Sequence, residues 1–140
     1  AVIVLFQFSK TDVFSQGVND IARTKAVAQY IEKKTTGEPF SFTIIASRSF
    51  SDYHYRFFFR LGDVNPEPIV SKTYGTLFLI CEKGDCPSGE ELVRRSVVDV
   101  MCYDHHCKGE YPKLFLDDFS FVSEKRVESV QVYEFRRKTR

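Results

Sequence analysis

Thr24, Val27, Ala28 and Ile31 recur at helical spacing while Arg23, Lys25, Gln29 and Glu32 fall between them, which predicts an amphipathic helix beginning at Asn19 or Asp20. Lys33 and Lys34 suit the negative end of its dipole, and Gly37 followed by Pro39 ends it. The polar stretch from Ser9 to Gly17 reads as a connection. Two continuous apolar runs rich in β formers, Phe40 to Ala46 and Thr76 to Cys81, read as buried strands. Between them, Tyr53, Phe57, Phe58 and Leu61 form a helical stripe, with Ser51 and Asp52 as N-cap candidates and Gly62 as a stop. Asn65-Pro-Glu-Pro68 then forces an extended linker. Strand, helix and strand in succession predict a βαβ unit with parallel strands.

Ser88 and Glu91 form a capping-box pattern for a helix over Glu90 to Met101, with Leu92, Val97, Val100 and Met101 as its apolar stripe. From Leu114 the period changes to two. Phe119 and Phe121, then Val130, Val132 and Phe135, predict an antiparallel hairpin whose charged outer face holds Lys125, Arg126, Glu128 and Glu134. Residues 136–140 read as a solvated basic tail. The expected class is α/β: a small mixed sheet with a βαβ unit, flanking helices and a C-terminal hairpin, in one domain over residues 1–140.

Composition narrows the function classes. Twenty Lys and Arg against nineteen Asp and Glu leave a net charge of +1, without the basic surplus by which nucleic-acid binders neutralise phosphates. Hydrophobic residues at 43% and charged residues at 28% exclude disordered and low-complexity classes. There are 14 Phe and 7 Tyr, and the Phe fall inside short apolar runs, which reads as core packing rather than a stacking surface for bases.

Residues 1–8 are almost wholly apolar, yet too few to cross a bilayer, which needs about 20. They read either as a buried strand or as the stub of a preceding membrane span. Starting at Ala1 rather than Met, the sequence carries the expectation of a piece of a longer chain.

The cysteines stand as Cys81-x4-Cys86 and Cys102-x4-Cys107, with His105 and His106 inside the second pair. An even count fits two disulfides in an extracytoplasmic protein, with three connectivities open. Four thiolates around zinc are the alternative, although C-x4-C is looser than the usual C-x2-C knuckle. His54 reads as a partly buried, hydrogen-bonded imidazole, and Asp117-Asp118 as a turn.

No G-x-S-x-G elbow and no glycine-rich phosphate loop is present, and no catalytic residue or cofactor is expected. Arg48 with Ser47, Ser49 and Ser51 would lie after a strand and before a helix, where a cation and free amides can hold an anion.

Lys25-Ala-Val-Ala-Gln-Tyr-Ile-Glu32, Gly37-Glu-Pro-Phe-Ser-Phe-Thr-Ile-Ile45, Tyr53-His-Tyr-Arg-Phe-Phe-Phe59 and Thr76-Leu-Phe-Leu-Ile-Cys-Glu82 together resemble one pattern. It is that of the soluble C-terminal region of bacterial polytopic membrane glycosyltransferases related to dolichyl-phosphate-mannose protein mannosyltransferases. Val130-Gln-Val-Tyr-Glu-Phe135 is similar to their closing strand, and the resemblance covers residues 22–82 and 114–136. Against that pattern, Ser88 to Glu110 looks like an insertion. The resemblance implies a non-catalytic, membrane-tethered extracytoplasmic domain of an enzyme using a polyprenyl-phosphate sugar. Its partners would be the membrane-spanning part of its own parent chain and a glycan or protein acceptor, with no nucleic acid. The alternative is a free-standing α/β protein binding a small ligand or zinc.

Overall fold

The computed structural model describes residues 13–46, 52–71, 73–100 and 113–139, without the side chains of residues 13–19 and 46. The elements, in chain order, are α1 (Val13–Thr35), β1 (Phe40–Ala46), α2 (Tyr53–Leu61), β2 (Thr76–Cys81), α3 (Gly89–Arg95), β3 (Val97–Asp99), β4 (Lys113–Phe115), β5 (Phe119–Val127) and β6 (Val130–Arg137). The fold is mixed α/β, as the sequence predicts. A four-stranded sheet runs in the order β1-β2-β6-β5, and β3 and β4 make a separate antiparallel pair. β1 and β2 are parallel, completing the βαβ unit, while β6 is antiparallel to both β2 and β5.

β2 is the central strand, and all six of its residues are buried. Its side chains alternate, as a strand's must. Phe78 and Ile80 join Phe40, Phe42 and Ile44 of β1 beneath Val27, Ala28 and Ile31 of α1 and Tyr55 and Phe59 of α2. Leu77, Leu79 and Cys81 join Leu92 of α3, Val98, Leu116, Phe119, Tyr133 and Phe135 on the opposite side. A strand flanked by two cores has no polar face, so a continuous apolar run is the only pattern that suits it. The stripe of Thr24, Val27, Ala28 and Ile31 is buried as expected.

Four expectations are corrected. α1 begins at Val13, so residues 13–17 are helical rather than a connection. α3 stops at Arg95, where Ser96 takes a left-handed conformation (φ 58°); Val97 is a strand residue and Val100 lies beyond that strand, so neither belongs to a helical stripe. Ser88 does cap α3, accepting a hydrogen bond from the Glu91 amide at 3.2 Å. Gly62 ends α2 as its C-cap, as expected, with an ordinary φ of −84°; the left-handed residue is Asp63. Glu134 is buried rather than on a charged outer face: Ser123 Oγ donates to it at 3.1 Å and Lys34 Nζ lies 3.6 Å away. Arg137 is not part of a solvated tail, because its guanidinium sits 5.0 Å from the Tyr74 ring centre and 4.8 Å from that of Phe119.

The apolar segment 1–8, most of the connection before α1, and residues 101–112 of the expected insertion lie outside the described residues.

Candidate functional site

The carboxyl ends of the parallel strands β1 and β2 deliver the chain to one corner of the sheet. β1 leads toward α2, and β2 leads directly into Glu82. Because successive strand residues face opposite ways, Cys81 packs into the core opposite the helices while Glu82 faces α2. Glu82 is only 1% exposed, and a carboxylate so far from water needs hydrogen-bond donors around it.

The first turn of α2 supplies them. Tyr55 Oη donates to Glu82 Oε1 at 2.8 Å, and His54 Nε2 lies 3.3 Å from the same oxygen, where its Nε2–H tautomer donates. Burial pushes the Tyr55 phenol well above its ordinary pKa, and the Glu82 charge and hydrogen bond add to the rise. Arg23 acts in the opposite direction on this phenol, so α1 brings a cation to the same corner. Arg23 is held by Asp20 at 2.9 Å, and its buried Nε has no hydrogen-bond partner among the described residues. Asp52, the N-cap residue of α2, spends its carboxylate on Arg56 Nε at 2.8 Å instead of capping the helix, and Arg56 lies over the Phe42 ring.

The result is a buried acceptor, a phenol and an imidazole in one constellation. The imidazole is oriented by a carboxylate and its side chain is 29% exposed, which leaves the ring within reach of solvent or a ligand. This is the place where open α/β sheets bind ligands.

Of the residues the sequence singles out, His54 is where it was expected. Ser47, Arg48, Ser49 and Ser51 lie outside the described residues, as do Cys102, Cys107, His105 and His106. Cys81 and Cys86 form a disulfide with Cα atoms 6.0 Å apart, the local pairing among the three open connectivities. Sulfurs joined to each other are not thiolate ligands, so in this disulfide-bonded state Cys81 and Cys86 offer none to zinc. Among the described residues no group of His, Cys, Asp and Glu side chains could hold a metal ion.

Glu82 and Tyr55 are the site residues that the sequence reading did not single out. The available signal was an acidic residue immediately after a fully apolar strand, a position that demands a partner from the neighbouring helix.

A concavity of about 320 Å³ opens at the other end of β1, between the end of α1 and the loop after α2. Glu32, Glu38, Asp63 and Glu67 line it, and burial raises the Glu32 pKa. Gly62 makes room for Glu32, since a Cβ there would fall 2.3 Å from Glu32 Oε1.

No known protein family, no characterised protein and no solved structure matches this chain.

Proposed function

We propose that this chain is a non-catalytic extracytoplasmic domain of a membrane glycosyltransferase that uses a polyprenyl-phosphate sugar, and that it positions the acceptor or a partner. The observation that carries the compartment is the Cys81–Cys86 disulfide, since such bonds persist in oxidising surroundings. Support for the enzyme class is the resemblance of residues 22–82 and 114–136 to the soluble end of such enzymes. In this reading the corner at Glu82, His54 and Tyr55 faces the acceptor, with hydrogen-bond donors and acceptors suited to hydroxyl groups.

A second reading, a free-standing protein that binds a small polar ligand, is favoured by the same corner, because its carboxylate, imidazole and Arg23 guanidinium together could recognise a ligand without any enzyme attached. The zinc-binding form of that reading loses Cys81 and Cys86 as ligands.

Two measurements decide. Peptide mapping of unreduced protein is expected to recover Cys81 and Cys86 linked; free thiols at both positions in protein from an oxidising compartment overturn the extracytoplasmic assignment. Sequencing the parent gene is expected to reveal membrane spans upstream. A reading frame that encodes this region alone leaves the free-standing protein as the conclusion.

A further inference from the structure

The outward face of the helical layer is not built like the rest of the surface. Tyr53, Phe57 and Leu61 succeed one another at one-turn spacing along α2, opposite its buried residues Tyr55 and Phe59, and are 63%, 57% and 68% exposed. Ile21 on the neighbouring α1 is 62% exposed. Four large apolar side chains on two adjacent helices form a patch rather than scattered exposure.

The exposed charges of these two helices are mainly cationic, with Asp20 and, just beyond α2, Asp63 as the exposed acids. Lys25 and Lys33 of α1 and Arg60 of α2 are exposed, whereas Lys34 turns to Glu134 of the sheet. The acids on the same helices are engaged elsewhere: Asp20 with Arg23, and Glu32 turned toward Gly62 at the end of α2. Aromatic and aliphatic side chains ringed by long cationic ones are the composition that settles at a bilayer surface. The rings sit at headgroup depth, and Lys and Arg reach outward to the phosphates.

We propose that this face, centred on Tyr53, Phe57 and Leu61, docks on an anionic lipid surface. The charge complementarity selects that occupant: a neutral surface would gain nothing from Lys25, Lys33 and Arg60, and a second copy of the same face would set like charges against each other. The inference goes beyond the proposed function and does not depend on it, since α2 contacts lipid through residues outside the Glu82 corner.

The test is flotation of the full chain, disulfide intact, with vesicles of phosphatidylglycerol and phosphatidylcholine in equal parts, against vesicles of phosphatidylcholine alone. Binding to the anionic vesicles is expected to be at least about tenfold tighter and to weaken with salt. The double substitution Phe57→Ser, Leu61→Ser is expected to reduce it at least tenfold. Lys25→Glu with Arg60→Glu is expected to remove the preference for anionic lipid; these four side chains are exposed, so both variants retain the wild-type melting temperature. Absence of vesicle binding overturns the proposal. So does equal binding by wild type and the Phe57/Leu61 variant, which would assign the contact to another segment such as residues 1–8. A wild-type dimer that the Phe57/Leu61 variant converts to monomer in sedimentation, with no vesicle binding, assigns the face to a second copy instead.

Discussion

Tyr55 and Glu82, one in the first turn of α2 and the other at the first position beyond β2, are joined by a 2.8 Å hydrogen bond inside the protein. The bond ties the crossover helix to the end of the central strand and supplies a donor to a carboxylate with almost no contact with water. Tyr55→Phe removes the donor while keeping the ring. It is expected to lower stability by about 1.5–3 kcal/mol, the usual range for a hydrogen bond to a charged group. Urea unfolding at pH 7 measures it, and an unchanged midpoint would show that the other contacts of Glu82 satisfy it without the phenol.

High pH should act through buried phenols. Burial raises the pKa of Tyr55 and Tyr74, and burial with the charges of Glu124 and Glu91 raises that of Tyr133 to about 12. An unfolded tyrosine ionises near pH 10, so above that value the unfolded chain binds fewer protons than the folded one. The stabilisation is therefore complete below about pH 10 and is lost as the pH rises toward the folded-state values. Urea midpoints between pH 8.5 and 11.5 are expected to fall, and to fall less steeply in Tyr55→Phe, Tyr133→Phe protein. Identical slopes in the two proteins would place the alkaline transition on other groups.

The Cys81–Cys86 bond closes a short loop at the end of the central strand. On the chain-entropy account a loop of this size contributes about 2 kcal/mol. Cys86→Ser is expected to be less stable than wild type by that amount in oxidising buffer. The difference should vanish when both are measured with a strong reductant; a difference that persists would belong to packing at Cys86.

Gly89 opens α3 where the helix presses on β5. A Cβ there would meet the Phe121 ring at 2.1 Å, and the Gly89 amide donates to Glu124 Oε2 at 2.7 Å. Gly89→Ala is expected to cost about 1–3 kcal/mol through overpacking. Adding Phe121→Leu should restore part of the loss in a double-mutant cycle, and simple additivity of the two effects would show that the helix moves instead of the ring.

Arg137 joins the chain end to the segment before β2. Its guanidinium faces the Tyr74 and Phe119 rings, and its Nε donates to the Tyr74 carbonyl at 3.1 Å. Arg137→Ala is expected to lose about 1–3 kcal/mol, and Arg137→Lys to recover only part, because a lysine ammonium cannot reproduce the planar contact and the fixed donor together. Equal thermal midpoints for the lysine variant and wild type would reduce the interaction to charge alone.

β2 was legible to its end residues because burial on both faces leaves a continuous apolar run, and β1 because Phe40, Phe42 and Ile44 fill one face among β formers after Pro39. The inner stripe of α1 was legible because one helical face meets one core. The start of α1 was not, since Ser15, Gly17 and Asn19 read equally as turn formers, and a glycine inside a helix costs only about 1 kcal/mol. β3 and β4, three residues each, are too short to display a period. Glu134 was misplaced for a different reason. Its charge is a local property, and Arg136 pairs with it within β6, but Lys34 and Ser123 come from other elements that no pattern within β6 announces. The Glu82 corner was half legible: His54 could be placed as a hydrogen-bonded imidazole from its own segment, whereas its partner required knowing which strand end α2 covers.

The place of β2 in the sheet has a consequence for how the chain is made. Its first neighbour, β1, precedes it, but Thr76 pairs on the other side with Arg136 and Cys81 with Gln131, near the end of the sequence. During synthesis from the N-terminus, β2 therefore remains an open edge, apolar on both faces, until β6 emerges. A nascent chain in that condition is prone to strand pairing with its neighbours, and closing the sheet waits on its most sequence-distant contacts. Truncation within β6 should thus yield aggregates rather than a soluble βαβ fragment, with β2 as the adhesive strand.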